Sequence, residues 1–282
     1  MGEPALNEEG AARRVPLDAL ADTRRTRPRL SADMPEGTMV TRAVAAAGGA
    51  ARSKTAALVR RGLELGERVA RRRAVECPVC GWEGLRFRPM AGARLRFDAE
   101  CPRCGGVERH RILALLLRRE RLPTGLVLYV APEPSLAPLV HARGPHVVTL
   151  DLFLTGVDIR ADVEALPLPD RSAALVVISD VLEHVADDRR AMREIARVLR
   201  ADGSALIHVP VLVPETIEYG RAVEAEFGHR RVYGADVLDR LWRAGLEATP
   251  LLARDVPTAD RRRHGIVDGD VALVARPRMP SA

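Results

Sequence analysis

All four cysteines of the chain fall in two pairs, Cys77-x2-Cys80 and Cys101-x2-Cys104. In each pair a tight turn lets both sulfurs face one point, and Gly81, Gly105 and Gly106 relieve the backbone just past the turns. Two such turns complete a tetrahedral four-thiolate site, the pattern of structural zinc, with no position left for a reactive water. The symmetric pairs favour zinc over an iron–sulfur cluster. The intervening "LRFRPMAGARLRF" reads as a short hairpin, so residues 74–108 are expected to form a small zinc ribbon. A module of this size has little core of its own, and the metal supplies on the order of 10 kcal/mol to its folding.

The opening "MGEPALNEEGAARR" has no apolar stretch of the secretory kind, so a cytoplasmic location is expected, where cysteines hold metal more readily than they pair. No apolar run approaches the ~20 residues that span a bilayer, and no membrane partner is expected. The net charge of +6 belongs to residues 1–73, which hold 15 Lys and Arg against 9 Asp and Glu, while the rest of the chain is balanced. A basic arm can meet nucleic acid. The neutral body and an aromatic content of 3%, too low for base stacking, make nucleic acid an unexpected partner. Within the arm, Leu58, Val59, Leu63, Leu65 and Val69 sit near helical spacing, which predicts one amphipathic helix over 53–74, weakened by Gly62 and Gly66.

Beyond the ribbon, residues 109–282 alternate strand and helix. Strands are predicted at 126–130, 146–151, about 158–162, 174–179, 204–210, 247–252 and 270–276. Helices are predicted at 110–121, 135–143, 187–200 and 235–244. The helix at 187–200 opens on Asp187 and Asp188, carries Met192, Ile195, Ala196 and Leu199 on one face, and has Gly203 past its end. Such alternation implies a mostly parallel sheet covered on both faces. The last two strands, joined by a polar loop (255–269) and no helix, are expected to pair antiparallel.

The first strand, "LVLYV", turns into a helix through Ala131-Pro132-Glu133-Pro134. Turns at this place in α/β sheets usually bind a nucleotide-type cofactor on glycine N–H groups. Pro132 and Pro134 have no N–H, and Glu133 repels phosphate by about 1 kcal/mol in water and about 4 at an intermediate dielectric. NAD, FAD and ATP therefore fit poorly, whereas S-adenosylmethionine (SAM) has no phosphate and carries a sulfonium and an ammonium. Asp151 ends the second strand, where a carboxylate can accept both ribose hydroxyls. Asp162 and Val163 follow the third strand, and Ser179, Asp180 and His184 follow or end the fourth.

From 126 to 277 the chain resembles the class I SAM-dependent methyltransferases, in the type 11-like subgroup. The motifs that carry the resemblance are "ADVEALPLPD", "VLEHVADDRRAMREIARVLRADGSALIHVP" and "HRRVYGADVLDRLWRAGLEA", in that order. It is also similar to members with an N-terminal four-cysteine ribbon and an "APE" loop in place of glycines. The resemblance implies an α/β, Rossmann-like sheet of seven mostly parallel strands with the last antiparallel. It places Ala131, Pro132 and Glu133 on the methionine side of SAM, and Asp151 on the ribose with Leu152 beside it. Asp162 and Val163 meet the adenine, and Ser179 lies near the methyl-donor end. Three departures stand out: Tyr129 replaces the usual acidic residue, the glycines are absent, and Ser172 to Ala174 read "SAA" for "SFD".

Methyl transfer needs placement more than covalent help, but an oxygen acceptor needs a base. His184, with Glu183 beside it, is the first candidate and His229 the second; the competing role for His184 is to pack under the next helix. Arg230, Arg231 and Tyr233 either hold a substrate or, as favoured, support their loop. His110 is expected to brace the ribbon and His208 to sit in core or rim, while His141, His146 and His264 carry no signal. No Asn/Asp-Pro-Pro-aromatic motif follows the fourth strand, which argues against a base amine as acceptor. The insertion 211–234 is a candidate lid. The expected acceptor, implied by the resemblance, is an O or N atom of a small molecule, saccharide or modified peptide. Two alternatives use the same residues: an RNA methyltransferase holding RNA with ribbon and arm, and a non-catalytic binding subunit.

Overall fold

A computed structural model describes residues 74–90, 95–267, 269 and 271–278. The basic arm and the helix expected over 53–74 lie outside the described residues. The chain begins with strands β1 (Val75–Glu76), β2 (Glu83–Gly84), β3 (Arg88–Met90) and β4 (Arg96–Glu100). β1 pairs antiparallel with β2, and β3 with β4, the latter pair being the expected hairpin. Then follow α1 (Glu108–Arg119), β5 (Leu126–Val130), α2 (Ala137–His141), β6 (Val147–Asp151), β7 (Ile159–Arg160) and β8 (Ala173–Ser179). The rest comprises α3 (Asp188–Val198), β9 (Leu199–His208), β10 (Val211–Val213), β11 (Ile217–Val223), β12 (His229–Gly234), α4 (Val237–Arg243), β13 (Leu246–Leu252), α5 (Thr258–His264) and β14 (Val271–Pro277).

Seven strands form one sheet in the order β13-β14-β9-β8-β5-β6-β7. β5 to β9 run parallel, and β14 is antiparallel to both β9 and β13, as the sequence predicts. The central strand β8, "AALVVIS", is buried at every position, which is why it reads as an unbroken apolar run. Alternate residues go to opposite faces. Leu128, Val130, Val176 and Ile178 pack with Met192, Ile195, Val198 and Leu241 of α3 and α4. Val127, Tyr129, Leu175 and Val177 pack with Ile112, Leu116, Leu136 and Val140 on the other side. Each fully buried aliphatic side chain contributes roughly 1.5–3 kcal/mol, so these two layers hold the sheet. α3 begins as expected, with the Asp187 side chain accepting from Arg190 N at 2.9 Å. Its buried face is Met192, Ile195 and Val198, while Ala196 is only partly buried.

Two expectations are corrected. The helix expected at 187–200 ends at Val198, and Leu199, expected on its face, opens β9. The connection between the last two strands is not a plain polar loop, because it contains a 3-10 turn and α5. α5, "TADRRRH", has no buried residue and so shows no apolar period. It is held by polar anchors to the ribbon: Arg263 reaches Glu76 at 2.6 Å, and His264 Nδ1 lies 3.1 Å from the Glu76 carbonyl. Gly265, left-handed at φ +60°, ends α5 where a Cβ would sit 2.7 Å from the Phe87 ring. The insertion 211–234, the candidate lid, folds as a three-stranded sheet, β10-β12-β11.

Candidate active site

The chain leaves β5 for β6 and β7 on one side and returns to β8 on the other, so the carboxyl ends of β5 and β8 flank the crevice where α/β sheets bind ligands. The proline loop lies at this point. Ala131 takes a left-handed φ of 49°, the conformation a glycine ordinarily supplies, and its N–H donates to Leu150 O at 2.8 Å. Tyr129, standing where an acid is usual, ties the loop back: its hydroxyl accepts from Glu133 N at 2.9 Å and donates to Glu133 O at 3.2 Å.

The Glu133 carboxylate points to α1. Its Oε2 accepts from Arg109 Nη2 and pairs with His110 Nε2, both at 2.5 Å. The His110 Nδ1 accepts from Val107 N at 3.0 Å, which leaves Nε2 as the donor to Glu133. His110 therefore braces the proline loop as much as the ribbon it follows. Burial pushes Glu133 up, but the bond and charge of His110 and the Arg109 guanidinium outweigh it and hold the carboxyl below its usual range. Arg109 Nε also meets Asp180 Oδ2 at 3.0 Å, and Asp180 Oδ1 meets His208 Nδ1 at 2.6 Å. Burial again opposes ionisation of Asp180, and His208 and Arg109 again prevail. A line of alternating charge thus crosses the mouth of the sheet, from α1 through the β5 loop to the ends of β8 and β9. Sequence reading missed Arg109, which sits 24 residues before its partner Glu133.

The remaining cofactor candidates lie along the same edge. Asp151 ends β6, and its Oδ1 accepts from Phe153 N at 2.6 Å and Leu154 N at 2.7 Å. Beside it Leu152, Phe153 and Leu154 expose apolar side chains, Phe153 to 80%. Asp162 caps the turn Val163–Ala165 by accepting from Glu164 N at 2.9 Å, and Val163 is buried. Ser179 ends β8, buried, with an Oγ that has no hydrogen-bond partner, and Glu133 Oε1 is in the same state. Two unsatisfied polar atoms at the crevice, an acid with one oxygen turned to its own loop, and a wall poor in N–H donors fit a non-phosphorylated, cationic nucleoside such as SAM.

His184 and His229, distant in sequence, meet with ring centroids 4.7 Å apart at 81°. Arg230 N donates to Glu183 O at 2.8 Å, which docks β12 against the turn after β8. Glu183 is 1% exposed, and neither carboxylate oxygen has a hydrogen-bond partner. Burial, helped by the charge of Asp180, pushes its carboxyl up to about 8. Burial and the neighbouring His184 push His229 down. Arg231 is buried and donates to the carbonyls of Leu182 at 2.6 Å, Val185 at 2.8 Å and Ala186 at 3.1 Å. Tyr233 OH donates to Asp188 at 2.8 Å. Both residues therefore support the turn, as favoured from sequence.

At the ribbon, Cys77 and Cys104 sulfurs lie 3.8 Å apart, and those of Cys80 and Cys101 3.6 Å apart. These distances are far beyond a disulfide bond and match the ~3.8 Å edge of a tetrahedron with Zn–S near 2.3 Å. The two knuckles share one geometry, with Gly81 N donating to Cys77 O at 2.8 Å and Gly105 N to Cys101 O at 3.0 Å. Arg111, fully buried on α1, lies 4.2 Å over the Phe87 ring and donates to Ala99 O at 2.6 Å and Gly265 O at 2.9 Å. It joins ribbon, α1 and α5. A cleft of about 670 Å³ lies between ribbon and α5, away from the strand ends.

Residues 112–207 match the model of a methyltransferase domain. Over these residues the chain is similar to the methyltransferase domain family. Two Mycobacterium tuberculosis proteins, each named "Probable S-adenosylmethionine-dependent methyltransferase", are 30% identical over 156 residues, covering 55% of this chain and 49% of theirs. A Mycolicibacterium smegmatis relative is 36% identical over 98 residues, 34% of this chain and 37% of its own. The chain thus spans about half the length, or less, of the curated relatives it matches. Among solved structures, the Burkholderia thailandensis 1,6-didemethyltoxoflavin-N1-methyltransferase aligns at 20% identity and a TM-score of 0.44, covering 61% of this chain and 79% of that one. A SAM-dependent methyltransferase from Mesorhizobium loti aligns at 16% and 0.43, covering 58% and 97%. Among the described residues no helix is long and apolar enough to cross a membrane.

Proposed function

We propose that the protein transfers a methyl group from SAM to an O or N atom of a small molecule, a saccharide or a modified peptide. The observation that supports this reading is the proline loop, which has no N–H at Pro132 or Pro134 and whose Glu133 is fixed by Arg109 and His110, with Ser179 Oγ unpartnered at the end of β8. Ala131, Pro132 and Glu133 would face the methionine end, Asp151 and Leu152 the ribose, Asp162 and Val163 the adenine, and Ser179 the region of the donor. When bound, SAM supplies an electrophilic methyl group on its sulfonium.

The chain's own part is to orient and to handle a proton. Arg109 would hold Glu133 and Asp180 in place at the mouth, where its cation pairs with both carboxylates. His184 or His229 would take the acceptor's proton on a ring nitrogen, both being close to the end of β8. Arg231 keeps the 182–186 turn in the shape that presents His184. The four cysteines would hold zinc, which orders the ribbon and through Arg111 steadies α1, the helix that supplies Arg109 and His110.

Calorimetric titration of the zinc-loaded protein with SAM and S-adenosylhomocysteine tests the reading. Micromolar binding that Asp151→Ala abolishes is expected. Absence of heat from folded protein with either ligand would overturn it in favour of a non-catalytic role.

A further inference from the structure

The turn after β8 and the start of β12 hold a second set of metal-ligand atoms, remote from the four cysteines. One atom each from Glu183, His184 and His229 lies within 4.8 Å of the other two. Close approach alone does not make a site. The deciding observation is Glu183, which is buried to 1% exposure, yet both of its carboxylate oxygens lack a hydrogen-bond partner. A buried carboxyl whose two oxygens have no partner forfeits hydrogen bonds in either protonation state, a cost that a bound cation would remove. The nearest guanidinium groups are engaged elsewhere: Arg231 on the carbonyls of 182, 185 and 186, and Arg109 on Glu133 and Asp180. Asp180, the neighbouring acid, is likewise committed to Arg109 and His208. What faces Glu183 instead is a pair of imidazoles set edge to face, each able to offer a nitrogen lone pair.

We infer that Glu183, His184 and His229 bind one divalent transition-metal cation beside the end of β8. Two imidazoles and one carboxylate suit Mn²⁺, Fe²⁺, Co²⁺ or Zn²⁺ rather than Ca²⁺. Three protein ligands leave coordination positions open, as in reactive rather than structural sites. Because His184 is half of the proposed base pair, the purpose of the site rests on the methyltransferase reading and refines it. The two imidazoles would then hold a cation in place of taking the proton themselves. The cation would receive an acceptor oxygen and make its hydroxyl easier to ionise, the proton passing to water at an open coordination position as the oxygen takes the methyl from the sulfonium. The acceptor class narrows accordingly to molecules that present oxygen. The local backbone supports the arrangement: Arg230 N to Glu183 O at 2.8 Å locks the strand carrying His229 onto the turn carrying the other two ligands.

The test uses Mn²⁺ as probe on protein whose cysteines are already loaded with zinc. Titration is followed by the electron paramagnetic resonance signal of free Mn²⁺ and by water-proton relaxation, which reports open, water-filled positions. One Mn²⁺ per chain with enhanced relaxation is expected, and Glu183→Gln and His229→Gln should each weaken it at least tenfold while zinc content stays unchanged. Wild-type protein that leaves the free Mn²⁺ signal unaltered at millimolar concentration overturns the proposal, and so does equal binding by wild type and both variants. SAM titration of the same samples separates the two claims: SAM binding without Mn²⁺ binding refutes the cation site alone, and Mn²⁺ binding without SAM binding refutes the cofactor reading. A variant that fails to fold is replaced by His184→Gln, which removes a half-exposed ligand.

Discussion

Replacing Arg231 with Met removes a cation that is 3% exposed and takes one donor each from the carbonyls of Leu182, Val185 and Ala186, of which Leu182 keeps the Tyr233 hydroxyl at 3.2 Å. A hydrogen bond to a charged group is worth about 1.5–3 kcal/mol, and an unsatisfied buried acceptor costs a similar amount. Three such losses do not add fully, because the turn can relax and admit water, so we expect a destabilisation of about 3–5 kcal/mol. For a domain of this size that corresponds to a fall in Tm of roughly 10 °C. Urea denaturation followed by far-ultraviolet circular dichroism measures it. Arg230→Met is the control: the Arg230 backbone N–H makes the contact with Glu183 O, so its side chain should be worth no more than about 0.5 kcal/mol. A loss below about 1 kcal/mol in Arg231→Met, or equal losses in the two variants, would refute the claim that Arg231 holds the turn beneath His184.

Chelating zinc, or replacing Cys101 with Ser, should release one equivalent of metal and unfold the ribbon, and SAM affinity should fall with it; unchanged affinity would show that α1 stands without the ribbon. Ser179→Ala should alter stability by less than about 1 kcal/mol, since its Oγ has no partner to lose, yet weaken SAM binding about two- to tenfold by calorimetry. Glu133→Gln should destabilise the protein at pH 7 and much less in acid. The folded carboxyl lies below its ordinary value, so its contribution is complete above the unfolded value of about 4.3 and fades as pH falls through the folded one. Urea titrations of both proteins at pH 7 and pH 3 check the sign.

The parts of the fold that rest on apolar runs were legible in the sequence. β5, β6, β8 and β14 lie within a residue of their expected ends because burial on both faces leaves no polar interruption. α5 was not legible, since its six polar residues and one alanine touch the ribbon through ions and leave no hydrophobic period. The strands of the insertion were not read, because β11 exposes most of its residues and no alternation marks it. Asp151, Asp162 and Ser179 were expected one by one from the motifs, each at or just past a strand end. Their neighbours were not: Arg109 to Glu133, His208 to Asp180 and His229 to His184 are each contacts between elements distant in sequence. Glu183 was visible only as the neighbour of a histidine, because burial without a partner is a property of the packed turn.

The central claim is that the proline loop and the end of β6 bind SAM without glycines. A crystal structure with S-adenosylhomocysteine tests it most directly. The ribose hydroxyls are predicted within hydrogen-bond distance of Asp151, with the amino-acid end against residues 131–133 and Ser179. Density for the ligand elsewhere, or a ligand-free crevice at saturating concentration, would contradict the account.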